Sequence, residues 1–254
     1  MGGSEIDQGS RREHVESMIL MHGRRRPRRV AKSGTAASGG DRESGCGRAA
    51  AGERGRQAVP TLRDDGAVTR IIAGVARGRR LETPRGAATR PTSDRVREAL
   101  FGSLDARGVV DGAVVLDLFA GSGALGLEAA SRGAKEAVLV DSAREPVAVA
   151  RRNAAALGLA SVRVVQAPVL RWLAGHDVPA ADLVLLDPPY GLGEDELAAV
   201  LQALDAGPLA DGALVVAERD GRSPEPVWPR GWEPEGARRY GDTALWTAAA
   251  KLRP

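Results

Sequence analysis

From Gly108 onward, short apolar runs of strand length alternate with longer runs of helical periodicity. The strand-like runs are Val114–Phe119, Ala137–Val140, Val162–Val165, Leu183–Leu186 and Ala213–Ala217. Between them lie helical patterns at Leu125–Ser131, Pro146–Leu157, Val169–Leu173 and Glu194–Leu204. Apart from Asp117 and Arg163, the strand runs are apolar at successive positions, the mark of strands buried on both faces. Strands of this kind alternating with helices predict an α/β fold, a mostly parallel doubly wound sheet covered on both sides. Gly236–Tyr240 and Thr243–Ala249 follow each other too closely for a crossover helix, so they are expected to form an antiparallel hairpin at the sheet edge. No internal repeat interrupts this order.

The segment ahead of the alternation has a different character. Residues 1–66 carry 13 Lys/Arg against 9 Asp/Glu and few apolar runs, and such a stretch cannot bury enough surface to offset its chain entropy. They read as a disordered basic leader. Val68-Thr69-Arg70-Ile71-Ile72 looks like the beginning of a compact protein, and an internal GTG start codon is read as valine. The native polypeptide is therefore expected to begin at Val68. Residues 67–108 read as a small extension. Thr69–Ala73 and Arg79–Thr83 form a hairpin around Gly74 and Gly78, and Thr92 or Ser93 caps a helix bearing Val96, Leu100 and Leu104 on one face. Residues 109–254 form the remaining domain. Between residues 68 and 97, eight Arg stand against Glu82 and Asp94. That charge suits a phosphate backbone, and equally a solvated Arg-rich face.

Several classes are disfavoured. Cys46 is the single cysteine, so no internal disulfide framework is possible. No apolar run reaches the roughly 18 residues of a membrane span, and Met18-Ile19-Leu20-Met21 is too short for a signal-peptide core. A cytoplasmic protein is expected, away from membranes. His14, His22 and His176 are scattered, and no metal-ligand cluster is apparent. Trp172 and Trp246 read as packing residues, while Trp228 and Trp232 are left open.

Two turns carry the chemistry. Asp117-Leu118-Phe119-Ala120-Gly121-Ser122-Gly123-Ala124-Leu125-Gly126 joins the first strand to the first helix. Its glycines permit a tight turn and a close ligand approach, and the helix start offers free N–H donors. Gly121, Gly123 and Gly126 also fit the dinucleotide spacing, so a nicotinamide or flavin site has to be weighed. Asp117 argues against it, because a carboxylate there repels a pyrophosphate but pairs with the cationic amino-acid part of S-adenosylmethionine. Asp141, ending the second strand, can accept hydrogen bonds from ribose hydroxyls. The candidate cofactor residues are Asp117, Phe119, Ala120, Gly121, Ser122, Gly123, Asp141 and Gln166.

Asp187-Pro188-Pro189-Tyr190 follows the strand Leu183–Leu186 and should face the same crevice. An amino group conjugated to a base ring is a poor nucleophile, because its lone pair is delocalised. Acceptors on both N–H bonds, the Asp187 carboxylate and the Pro188 carbonyl, can orient that nitrogen toward a methyl donor. The prolines stiffen the loop and remove competing donors. Tyr190 offers a face for stacking an extruded base. Asp187, Pro188 and Tyr190 are the candidate catalytic residues. Glutamine methylation poses the same delocalised-amine problem and stays open, as does adenine N6.

With Thr69–Gly74, Gly78–Leu81, Arg90–Phe101, Asp117–Gly126, Asp187–Tyr190 and Tyr240–Thr243 together, the chain from Val68 to Leu252 resembles the bacterial 16S rRNA (guanine-N2)-methyltransferases of the RsmD type. The resemblance implies a Rossmann-like S-adenosylmethionine-dependent methyltransferase acting on a guanine of an assembling small ribosomal subunit. It places RNA on the N-terminal hairpin, with Arg70, Arg77, Arg79, Arg80, Arg90 and Thr92 as contacts. A monomer without metal is expected. Relatives often carry Asp or Asn after the third strand to hold adenine. Here Gln166-Ala167-Pro168 stands there, so Gln166 or backbone groups would serve. A non-catalytic RNA-binding module with a degenerate donor site is the remaining alternative.

Overall fold

The computed structural model describes residues 69–84, 91–189, 191–207 and 209–251, with the side chains of 91–93 excepted. The expected leader, the proposed start at Val68, and the candidates Arg90 and Tyr190 lie outside the described residues. Helix α1 (Pro91–Ala106) comes first. It is followed by β1 (Val114–Leu118), α2 (Ala124–Ser131), β2 (Glu136–Asp141), α3 (Arg144–Leu157) and β3 (Val162–Gln166). Then come α4 (Val169–Leu173), β4 (Ala181–Leu186), α5 (Glu194–Ala206), β5 (Leu209–Asp220), β6 (Glu233–Tyr240) and β7 (Thr243–Ala249). The strands form one sheet in the order β3-β2-β1-β4-β5-β7-β6. β1 to β5 run parallel, while β7 is antiparallel to both β5 and β6.

The two-sided burial expected of the apolar runs is present in β1, β2, β4 and β5, whereas β3, at the sheet edge, is only half-buried. Leu116, Leu118, Val184, Leu186, Val215 and Ala217 meet Trp172, Leu197, Leu201 and Leu204 from α4 and α5. The alternate positions Val115, Leu183, Leu185, Leu214 and Val216 meet Val96, Leu100, Phe101 and Leu104 of α1 on the opposite face. Strand periodicity therefore sends Asp117 to the α1 side, and extended backbone beyond β4 sends Asp187 there too. Trp228 and Trp232 stack with centroids 6.1 Å apart, and Trp232 donates to Asp205 at 2.7 Å, so both serve packing.

Several boundaries depart from expectation, two of them beside the site. Helix α1 already includes Pro91, so Thr92 and Ser93 sit in its first turn instead of capping it. Proline at the first helical position lacks an N–H that would have had no partner there anyway. β5 extends well past Ala217, because β7 supplies backbone partners for polar residues: Glu218 opposite Leu245, Arg219 opposite Ala244 and Asp220 opposite Thr243.

The segment before α1 forms an antiparallel bridge, Arg70 to Arg80, around a turn at Gly74 and Gly78. It is sewn to the domain by buried polar groups. The Glu128 carboxylate of α2 accepts from the Ile72 and Ala73 N–H groups at 2.7 and 3.0 Å and from Arg132 at 2.7 Å. The Ser131 hydroxyl donates to the Ala73 carbonyl at 2.6 Å and accepts from the Ala76 N–H at 3.0 Å. Gly74 lies so close to α2 that a Cβ there would stand 1.8 Å from the Ser131 carbonyl oxygen. Ile71, Ala76 and Leu81 bury their side chains against Leu127, Leu139 and Ala150.

Candidate active site

The strand order reverses at β1, because β2 lies on one side of it and β4 on the other. Connections leaving in opposite directions open a crevice at the carboxyl ends of these strands. An open cleft of about 800 Å³ occupies that place. Phe119, Gly121, Ser122, Asp141, Ser142, Ala143 and Pro146 form one wall. Asp187, Pro188, Pro189, Glu218, Arg219 and Asp220 form another, and Val96, Arg97 and Leu100 of α1 close the side.

The glycines of the turn divide their work. At Gly121 the φ is 55°, and a Cβ would meet no atom within 4 Å, so this backbone faces open space. At Gly123 the φ is 83° and a Cβ would come within 2.6 Å of a Leu139 methyl; at Gly126 the corresponding distance is 2.5 Å. These two glycines serve the packing of α2 on β2. Phe119 is the one non-glycine described residue with positive φ, 65°, a conformation that costs energy at the cleft edge. Asn153, which sequence patterning missed as a lone polar residue on an apolar helix face, donates to the Ser122 and Glu82 carbonyls, both at 3.0 Å. It thereby ties the glycine turn to the N-terminal segment.

Acidic groups end four adjacent parallel strands. Asp141, the last residue of β2, accepts the Gly121 N–H at 2.9 Å and the Ala143 N–H at 2.8 Å, one on each oxygen. Each oxygen retains further acceptor capacity toward the cleft. Asp117, in β1, is buried beneath the turn, where one oxygen caps the Gly126 N–H at 2.7 Å and the other has no partner. Burial, with Asp187 and Asp141 nearby, pushes its carboxyl up to about 7. Asp187 is open to the cleft, yet protein crowds it on its other sides, and this desolvation raises it to about 6. Glu218, half-buried in β5, is raised to about 8 by desolvation and then by Asp187. Sequence patterning overlooked Glu218 because the apolar run ends at Ala217. A polar residue inside an extended strand leaves no signal in hydropathy.

The remaining candidates sit as follows. Phe119, Gly121, Ser122, Asp141, Asp187 and Pro188 line the cleft, whereas Asp117, Ala120 and Gly123 lie outside its lining. Gln166 is exposed at the end of β3, also outside the cleft wall. Arg70, Arg77, Arg79 and Arg80 are exposed on the N-terminal segment, and Arg79 donates to the Ala156 carbonyl at 2.7 Å. Thr92 is placed in α1 by its backbone alone. Arg97, which had counted toward the basic stretch, is instead buried. It donates to the Arg70 carbonyl at 2.6 Å and pairs with Asp94 at 3.1 Å, and desolvation lowers its pKa. Among the described residues no group of three His, Cys, Asp or Glu could hold a metal ion, and no helix is long and apolar enough to cross a membrane.

Sheet order, glycine turn and strand-end acids together define a Rossmann-like fold of the S-adenosylmethionine-dependent methyltransferase class. Comparison with known proteins gives the family. The model of the family described as conserved hypothetical protein 95 matches residues 69–249. Ribosomal RNA small subunit methyltransferase D of Escherichia coli K12 is 41% identical over 176 residues, covering 69% of this chain and 86% of that protein. The same-named protein of Haemophilus influenzae is 34% identical over 166 residues, 64% of this chain and 84% of its own. A solved Escherichia coli chain provisionally named a methyltransferase, yhhF, superposes with a TM-score of 0.66 at 34% identity, over 74% of this chain and all of that one. The chain belongs to the conserved hypothetical protein 95 family, which is the RsmD family.

Proposed function

We propose that this chain transfers a methyl group from S-adenosylmethionine to the exocyclic N2 amine of a guanine in 16S rRNA. Its substrate on this reading is the assembling small ribosomal subunit in the cytoplasm, and it acts as a monomer. The observation that carries the proposal is the set of acids, Asp117, Asp141, Asp187 and Glu218, around the Asp-Pro-Pro turn. An acidic cleft repels the pyrophosphate of a dinucleotide and favours a cationic donor. The relatives named for small-subunit ribosomal RNA support the substrate class.

The residues present fit that donor. Gly121 lets the backbone approach it, Asp141 has acceptor capacity left for ribose hydroxyls, and Asp117, raised to about 7 with one oxygen partnerless beneath the loop, is a carboxyl whose ionised form a cationic ligand favours. When bound, S-adenosylmethionine supplies an electrophilic methyl group on a positively charged sulfur. Asp187 and the Pro188 carbonyl accept the two N–H bonds of the target amine and aim its lone pair. Holding the nitrogen in line is a positioning contribution, and the fixed acids stabilise positive charge as it develops. As the nitrogen gains a bond to carbon it must lose a proton. Asp187, raised to about 6, is mostly ionised at neutral pH and can accept it. Residues 67–108 would hold the RNA, with Arg70, Arg77, Arg79, Arg80, Arg90 and Thr92 toward it, and residues 109–254 would perform transfer.

The test is mass mapping of nucleosides from small subunits of a strain lacking this protein, before and after incubation with the purified chain and labelled S-adenosylmethionine. A single new N2-methylguanosine is expected. Label in N6-methyladenosine, or in protein glutamine, would replace this reading. No transfer at all would favour a binding module.

A further inference from the structure

We infer that Glu218 determines base specificity by accepting the guanine N1–H while Asp187 holds the adjoining exocyclic amine. The inference rests on the guanine reading above and adds a residue that neither the glycine turn nor the Asp-Pro-Pro turn contains.

The placement follows from sheet register. Leu186 of β4 is paired with Ala217 of β5, so the next residues, Asp187 and Glu218, are neighbours across one strand spacing. Leu186 and Ala217 point to the α5 side, and alternation turns Asp187 and Glu218 together to the α1 side, where both line the cleft. Among the described residues the Glu218 carboxyl makes no hydrogen bond or ion pair, so its acceptors are uncommitted. Its backbone is held firmly. β7 pairs it through Leu245, and the next residue, Arg219, is buried and grips the Leu192 carbonyl and the Glu194 carboxylate. An unpartnered carboxyl on a held backbone, beside the amine acceptor Asp187, is positioned for a ligand.

Base chemistry then selects the ligand. Guanine presents two donors side by side, N1–H and the N2 amine. Adenine presents its N6 amine beside N1, which is an acceptor. Two neighbouring carboxylates match the first pattern and oppose the second, since an ionised carboxylate is acceptor-only. The positive charge of a bound donor favours the ionised form of both acids. Glu218 therefore offers a physical reason for guanine over adenine, which the Asp-Pro-Pro turn by itself lacks.

The experiment uses small subunits reconstituted with 2-aminopurine at the nucleotide identified by mass mapping. That base keeps the 2-amino group but has an acceptor at N1. Transfer is measured at a pH above about 8, where Glu218 is ionised, for the full chain and for Glu218→Ala and Glu218→Gln. A hydrogen bond to a charged group predicts that the unaltered chain prefers guanine by about tenfold to a hundredfold in kcat/KM. Glu218→Ala should lose that preference by falling to the 2-aminopurine rate on guanine. Glu218→Gln, whose amide oxygen still accepts N1–H, should keep much of it. Binding of S-adenosylhomocysteine should be unchanged within a few fold in both variants, which shows that the fold is intact. Equal rates on the two bases for the unaltered chain, or an undiminished preference in Glu218→Ala, would overturn the inference. If the natural product is not N2-methylguanosine, the parent reading fails first, and that result is visible before any 2-aminopurine is used.

Discussion

Replacing Glu128 by alanine would remove the acceptor of three donors at once. The carboxylate is fully buried and receives the N–H groups of Ile72 and Ala73 and the Arg132 side chain. Arg132 retains its ion pair with Asp105 and its place over the Phe101 ring, 5.1 Å from the centroid. The two backbone donors retain nothing among the described residues. Each buried donor left without a partner costs about 1–3 kcal/mol, so the expected loss is about 3–5 kcal/mol once the weakened arginine is included. Where that loss appears depends on docking strength. Burial of Ile71 and Leu81 contributes about 1.5–3 kcal/mol each. If this exceeds the loss, the segment stays docked and the whole domain melts earlier, by about 2–4 °C per kcal/mol for a domain of this size. If it does not, the segment undocks alone and the melting temperature hardly moves. Hydrogen exchange separates the two outcomes. In either case the Ile72 and Ala73 amides should lose protection, by about a hundredfold to several thousandfold. Glu128→Gln, which keeps one acceptor oxygen, should lose roughly half as much in free energy. Native-like protection of both amides in Glu128→Ala would refute the assignment of Glu128 as the clamp of this segment.

Three further outcomes are expected. Asp187→Ala should abolish methyl transfer while S-adenosylhomocysteine still binds within a few fold, measured by single-turnover transfer and calorimetry; substantial activity would remove Asp187 from the chemistry. Charge reversal at Arg70 and Arg77, both exposed, should weaken RNA binding and flatten its slope against log salt by about one unit for each phosphate no longer neutralised; an unchanged slope would take both arginines out of the RNA interface. In the folded chain, burial raises Asp117, Asp187 and Glu218 to about 7, 6 and 8, above the unfolded carboxyl value of about 4. Their protonated forms thus favour the fold, a contribution present below about pH 4 and lost as pH rises through these values. A cationic donor offsets that loss. The affinity ratio of S-adenosylmethionine to its uncharged-sulfur product should therefore rise on the order of tenfold between about pH 5 and pH 9; a flat ratio would mean the acids do not act on the sulfonium charge.

How much of this was legible in the sequence depends on what each residue type signals. Strands buried on both faces must be apolar at successive positions, so β1, β2 and β4 could be read directly, and their helices followed from period. The Asp187-Pro188-Pro189 turn was legible because its residue types are uncommon at a strand end and suit one task. The glycine turn was legible as a loop but not in its division of labour. Spacing treats Gly121, Gly123 and Gly126 alike, whereas only the fold reveals that Leu139 demands two of them. Arg97 misled for a related reason. Counted as charge it joined the basic stretch; its partner Asp94 lies one helical turn away, but the Arg70 carbonyl that also holds it is 27 residues distant and leaves no mark in the pattern.

Glu218 shows the deeper limit. An apolar run ends where burial ends, but a strand ends where backbone pairing ends, and β7 carries that pairing as far as Asp220. The residues gained between the two limits are polar and extended, held by β7 on one edge and left open on the β4 side at the carboxyl end of the sheet. Those are the conditions for a preorganised site. In a doubly wound sheet, the gap between the end of the hydrophobic run and the end of the ladder is therefore where functional residues collect. Here that gap holds Glu218 within β5, and Asp187 stands beside it one residue past the end of β4. Of the two, Asp187 was visible only because prolines follow it.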